Sequence, residues 1–154
     1  MQFGPQHLRT FHVVTSTNER RRVFQDESRC ELLLQVFNFN REKQRLALHA
    51  HVIMPDHVHL LLTPSPEVAL EKAVQFIKGG FSFQLKSKLS PWATSFNDTR
   101  IADQPQFEKC VEYIHGNPVR ARLVLTPEEY RYSSANESAK VDAMPEWFAG
   151  KAQG

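Results

Sequence analysis

Four histidines fall within eleven residues as two His-x-His pairs, His49-Ala50-His51 and His57-Val58-His59. On a β-strand, residues i and i+2 point to the same face, so either pair can clamp one metal ion between two imidazoles. Pro55-Asp56 between the pairs is turn chemistry. If these two residues are the whole loop, Met54 lies opposite His57, Val52 opposite His59 and His51 opposite Leu60. His57 and His59 then share one face, and Val58, Leu60 and Leu62 share the other with His49 and His51. A three-residue loop reverses the relation, because a slip of one residue turns every side chain over. Each pair also has a plainer reading as hydrogen-bonded core histidines, since two imidazoles without a third ligand are weak evidence for a metal.

A second group of reactive side chains lies further along. Phe107, Cys110, Val111 and Ile114 follow the i, i+3, i+4, i+7 pattern of a buried helical stripe. Tyr113 and Asn117, at i and i+4 beside that stripe, can face one spot if the helix continues past Gly116. A phenol is a poor nucleophile at its ordinary pKa of about 10, and a divalent cation at a target phosphate would neutralise the charge that develops there. The Asn117 carbonyl oxygen would complete a two-imidazole, one-oxygen set suited to Mg²⁺ or Mn²⁺. The alternatives are a half-buried amphipathic tyrosine and an asparagine that ends a helix before proline.

The elements that must position these residues can be read from pattern. Arg9 to Thr17 is rich in β-branched residues and predicts a strand. A helix is expected over residues 26–43, where Leu32, Leu33, Val36, Phe37 and Phe39 recur with helical spacing. Strands follow at Leu46 to Met54 and His57 to Thr63. Glu67 to Leu89 predicts a second helix, interrupted at Gly79-Gly80 by a kink or by something packed close to its backbone. Trp92 to Ile101 is a fourth expected strand. Asp103 then reads as an N-cap, with Gln106 three residues on, for a third helix from Gln104 to Gly116. Pro118 should end or kink it. This order suggests a split βαβ, α+β ferredoxin-like fold, an antiparallel sheet covered by helices. Residues 1–132 are expected to form the domain and residues 133–154 a polar C-terminal tail, partly ordered, with Trp147 and Phe148 able to tuck back.

The chain of 154 residues, 41% hydrophobic and 23% charged, has the usage of one globular domain. No apolar run reaches the roughly 20 residues of a membrane helix. Met1 to Leu8 holds no apolar segment of a secretory signal. Cys30 and Cys110 are too few for a disulfide framework, so a cytoplasmic protein with reduced thiols is expected. The net charge of +2 conceals unevenness: residues 1–25 and 70–122 each carry +3. Two basic segments can hold a polyanion on one face, although a mixed solvated surface gives the same totals.

The run from Leu48 to Leu62, with His49, His51, His57 and His59, resembles the signature of the HUH (His–hydrophobic–His) single-tyrosine transposases. The run from Val111 to Val124, containing Tyr113 and Asn117-Pro118, resembles the tyrosine helix of their REP-associated branch. Phe11 to Thr15 and Ser95 to Ile101 are similar to further family segments, so the likeness covers about residues 9–132. It implies the HUH endonuclease fold, a metal on His57 and His59, a third, amide-type ligand at Asn117, and attack by Tyr113 on a DNA phosphodiester. It also implies single-stranded or hairpin DNA as partner and leaves monomer or homodimer open. Arg122 stands where the family usually has glycine. Phosphate contacts are expected from Arg20, Arg21, Arg22, Lys78, Lys86, Lys88, Arg100, Arg120 and Arg122, with Phe81, Phe83 and Trp92 available to stack bases. The resulting expectation is a metal-dependent single-stranded DNA endonuclease and strand transferase with a 5′-phosphotyrosine intermediate. Its alternative is a non-catalytic nucleic-acid-binding module derived from such an enzyme.

Overall fold

In the computed structural model, which describes residues 3–149, the chain runs through eight principal elements. They are β1 (Phe11–Ser16), α1 (Glu27–Glu42), β2 (Leu46–Met54), β3 (His57–Pro64), α2 (Leu70–Leu85), β4 (Asn97–Arg100), α3 (Gln104–Arg120) and α4 (Glu146–Ala149). The four strands form one antiparallel sheet in the order β2-β3-β1-β4, the ferredoxin-like α+β arrangement the sequence predicts. Pro55-Asp56 is the whole turn between β2 and β3, with Met54 opposite His57, Val52 opposite His59 and His51 opposite Leu60.

That register divides the sheet into two faces. Val13, Leu48, Ile53, Val58, Leu60 and Leu62 point to one side, where Leu33 and Phe37 of α1 and Ile77 and Phe81 of α2 bury them. Each fully buried side chain of this size contributes about 1.5–3 kcal/mol over leaving it in water. Ala50, Val52, Met54 and Leu61 point to the other side, under Phe107, Cys110 and Ile114 of α3 and Phe148 of α4. Both cysteines are free and buried, and burial pushes each thiol up to about 12, so neither ionises near neutrality.

Local chemistry sets the helix ends. Asp26 caps α1 by accepting from the Ser28 amide at 2.8 Å, and Asp103 caps α3 by accepting from the Gln106 amide at 2.9 Å. Helix α2 does not kink at its glycines. A Cβ on Gly80 would lie 3.1 Å from Val36 Cγ1, so the bare backbone lets α1 approach closely.

Three details depart from the sequence reading. A bulge between Leu48 and Ala50 gives His49 an extra position, so it turns to the α3 side and meets the Phe107 ring at 5.5 Å. The fourth strand is only Asn97–Arg100, all exposed, while Trp92 upstream makes an isolated bridge to Thr17. Helix α3 continues through Pro118 to Arg120. Proline there removes only one amide donor, near the helix end, and its ring is buried; the next turn closes with Ala121 N–H on Asn117 O at 3.0 Å.

The polar segment after Tyr130 runs beside β2. Ile53 N–H donates to Tyr132 O, Ser134 N–H to His51 O and Asp142 N–H to Leu48 O, at 2.8–2.9 Å. The Asp142 carboxylate also accepts from Leu48 N and from both Nε and Nη2 of Arg41. Composition marks this stretch as a tail; its backbone bonds and the buried Phe148 ring tie the described part to the sheet. Residues 150–154 lie outside the described residues. No helix among the described residues is long and apolar enough to cross a membrane.

Candidate active site

Alternation along β3 carries His57 and His59 to the α3 side of the sheet, their ring centroids 5.1 Å apart. The Nδ1 atom of each is engaged. His57 Nδ1 lies 2.8 Å from Asp56 Oδ1, and Asp56 also meets Arg20 Nε at 3.3 Å. Burial would raise the Asp56 carboxyl, but the His57 hydrogen bond and the Arg20 charge together hold it below the usual carboxylate range. His59 Nδ1 lies 2.9 Å from His12 Nε2. His59 is 5% exposed, and its pKa falls to about 3, first through burial and then through His12, His57 and Arg120. A ring held neutral this way keeps a lone pair at Nε2 for a Lewis acid.

Helix α3 crosses above. Because it runs on through Pro118, Tyr113 and Asn117 stay one turn apart on the same side. Asn117 Nδ2 sits 3.1 Å from His59 Nε2, and the Tyr113 ring centroid is 5.8 Å from that of His59 and 6.1 Å from that of His12. Tyr113 is 51% exposed, beside the imidazoles yet open to solvent. Arg120 folds back along the helix with its Cζ 4.3 Å from the Tyr113 ring centroid, and its Nη2 donates to the Tyr113 carbonyl oxygen. Gly116 makes room for this, since a Cβ there would lie 2.6 Å from Arg120 Nη1.

The donor set suits a divalent cation. Asn117 and His59 Nε2, 3.1 Å apart, are near enough that both could ligate one ion. A half-turn of that amide presents Oδ1 in place of Nδ2. Histidine, cysteine, aspartate and glutamate make no group of three of their own among the described residues. Engaged Nδ1 atoms on both rings are the outer contacts that orient metal-binding imidazoles.

The other candidates divide sharply. Arg20, Arg21, Arg22, Lys86, Lys88, Arg100, Arg120 and Arg122 are exposed. Lys78 is 8% exposed, its ammonium bonded to the Ala93 carbonyl and set over the Trp92 ring, so it does not face a surface ligand. Phe81 and Trp92 are core, whereas Phe83 is 77% exposed on the outer side of α2. His49 and His51 are structural. His49 bonds Thr63 and the Asp142 carbonyl; His51 is buried against Phe37. His115 bonds Ser134, on the far side of α3 from Asn117's partner. His12 is the residue that sequence reasoning missed. Its only signal is a lone imidazole in a β-branched strand, and its place beside His59 follows from the β1–β3 register, Val14 opposite His59.

The chain is similar to known transposases. The profile of the family described as "Transposase IS200 like" matches residues 6–117. A Haemophilus influenzae protein that carries the name REP-associated tyrosine transposase is 24% identical over 148 residues, spanning 83% of this chain and 84% of that one. A solved REP-associated tyrosine transposase bound to a REP hairpin shares the fold, with a TM-score of 0.71 and 20% identity over 82% of this chain and 76% of that one.

Proposed function

The chain belongs to the IS200-like transposase family, and from that membership we propose that it is a metal-dependent single-stranded DNA endonuclease and strand transferase whose nucleophile is Tyr113. The reading rests on one observation above all: Tyr113, His59, His12 and Asn117 meet within a single chain. His57, His59 and Asn117 would hold Mg²⁺ or Mn²⁺, which when bound polarises a non-bridging phosphate oxygen and neutralises developing charge. His12 and Asp56 hold the Nδ1 side of each imidazole, which leaves Nε2 of each ring as the atom that would take the cation. Arg120 restrains the phenol ring from its face and brings positive charge to the attacked diester.

In the reaction, Tyr113 Oη attacks phosphorus. One P–O bond forms to the phenol oxygen as the bond to the 3′ oxygen breaks, and the proton lost by the phenol is matched by one gained at the 3′-OH. The 5′-phosphotyrosine retains the phosphodiester's free energy, so rejoining needs no nucleotide cofactor. Exposed Arg20, Arg21, Arg22, Lys86, Lys88, Arg100 and Arg122 take backbone phosphates; Lys78 drops out because it is buried. Hairpin DNA as substrate is carried over from the solved relative. Since the phenol stands by its own chain's histidines, a monomer suffices for one cleavage.

The test is incubation with end-labelled single-stranded DNA and Mn²⁺, read on denaturing gels. The wild type should form a covalent protein–DNA species, lost on chelation. Tyr113→Phe should lose it while retaining DNA binding. An adduct with the Phe variant would mean another nucleophile, and cleavage without any adduct would mean hydrolysis by water.

A further inference from the structure

A second concavity lies around the turn end of the sheet, on the side of α1 and α2. The loop after β1, the first turn of α1 and the segment that follows α2 enclose a cavity of about 260 Å³. Arg21, Arg22 and Arg29 line it together with Ser87, Ser90 and Leu85, and the Ser90 hydroxyl is also bonded to the Trp92 backbone. No carboxylate lines it among the described residues. Arg21 is paired with Glu19 outside the wall, the Arg29 charge acts on the nearby Asp26 carboxylate, and the Arg22 side chain makes no hydrogen bond or ion pair among the described residues. Like charges gathered round one hollow repel in the free protein, and an anion placed between them removes that repulsion. Guanidinium forks match phosphate oxygens in geometry as well as charge.

The cavity is fastened to the candidate active site. Thr17 N–H donates to Asp56 O and Phe24 N–H to Pro55 O, so the arginine loop is laced to the turn that carries His57. Arg20 in the same loop pairs with Asp56, the partner of His57. The chain next to the lining residues on both sides holds left-handed backbone at non-glycine residues, Glu19 and Arg20 at φ 56° and Lys86 at φ 58°. Such conformations cost free energy and are retained where the surrounding structure fixes them.

We infer that this cavity seats one nucleotide unit of the substrate strand, its phosphate between Arg22 and Arg29 and its base against Leu85, as the strand passes round the sheet end from the bond Tyr113 attacks. The inference rests on the DNA-cleaving reading above and adds to it a fixed point of contact that includes Arg29 and the two serines. A volume just below the roughly 300 Å³ at which ordinary ligand pockets begin suits one unit of a strand. The shared chemistry is phosphate, which a DNA strand, a mononucleotide or the free ion can supply.

The experiment measures anisotropy of a fluorescein-labelled oligothymidylate across a salt series. It compares the wild type, the double variant Arg22→Gln/Arg29→Gln, and a charge-matched control, Lys43→Gln/Lys140→Gln. Lys43 follows the opposite end of α1. Arginine NMR signals, in parallel, follow titration with thymidine monophosphate and with inorganic phosphate. The inference expects the pocket variant to bind about tenfold or more weakly, with the salt slope shallower by about 0.7 for each phosphate that is no longer neutralised. The control should bind as wild type. Unchanged affinity and slope in the pocket variant, with the wild type still forming a Tyr113-dependent adduct, overturns the cavity and leaves the active site standing. Loss of mononucleotide or phosphate binding with intact strand binding also overturns it, in favour of a free phosphate ligand. A wild type that neither binds the strand nor forms an adduct overturns both readings together.

Discussion

The two faces of β3 are built from alternate residues of one strand, yet they do opposite work. Val58, Leu60 and Leu62 are sealed beneath two helices, every one of them buried among aliphatic and aromatic neighbours. His57 and His59 look the other way, toward a single helix that leaves the turn end open beside an exposed tyrosine. The closed face supplies the stability that lets the open face keep buried imidazoles, half-exposed aromatics and a solvent path. Substitutions on the first face should therefore be read out as stability and on the second as chemistry.

The largest effect expected from breaking that division is on the sealed side. Leu60→Ala should lower the unfolding free energy by about 2–5 kcal/mol in urea titration, because the site is enclosed and cannot collapse onto the cavity left behind. On the open side, His12→Ala should weaken Mn²⁺ binding about 10–100-fold by calorimetry while the urea midpoint stays close to wild type. An equal loss of stability would make His12 a core residue and blur the distinction.

Acid sharpens the comparison from another direction. His51, on the sealed face, is held to about 3 by burial first and then by His115 and Arg41. Its unfolded value is near 6.5, so between pH 6.5 and 3 the unfolded chain binds the extra proton. Stability is full above pH 6.5 and falls as pH drops through that window, by about 1.4 kcal/mol per pH unit for this one group. His51→Leu should flatten the pH dependence of the melting curve by that amount; an unchanged slope would show that the acid response comes from the other buried histidines. The smallest effect is at Arg122, whose φ of 62° lies in the left-handed region. Arg122→Gly should raise thermal stability by on the order of 1 kcal/mol, and it bears on neither face.

Much of this was legible where short-range rules decide. The two-residue turn fixed the register of β2 on β3, and with it the directions of His51, His57 and His59. Asp103 announced a helix start because its carboxylate has few other places to bond, whereas the pattern over residues 26–43 counted Asp26 inside the helix that it caps. What stayed hidden depended on tertiary context. A bulge at His49 leaves no mark in a period-2 pattern, and Pro118 reads as a stop until its burial in the last turn of α3 is known. Lys78 looks like surface charge until Trp92 and Ala93, fourteen and fifteen residues on, close over it. His12 becomes a neighbour of His59 only through strand pairing across 47 residues. The family segments located Tyr113 and the histidine hairpin together, which spacing alone left as separate possibilities.

The backbone bonds that the C-terminal segment makes to β2 have a consequence for association. β2 is an outermost strand of the sheet, and a bare outermost strand is a template on which another chain can pair. Tyr132, Ser134 and Asp142 occupy its free amides and carbonyls at three points along its length. The opposite margin needs no such cover, being four residues of Asn-Asp-Thr-Arg, too short and too polar to recruit a partner. Cutting the chain after residue 132 would therefore do more than remove a polar appendage: it would uncover the long margin at His51 and Leu48, two of those three points, and invite strand-to-strand aggregation.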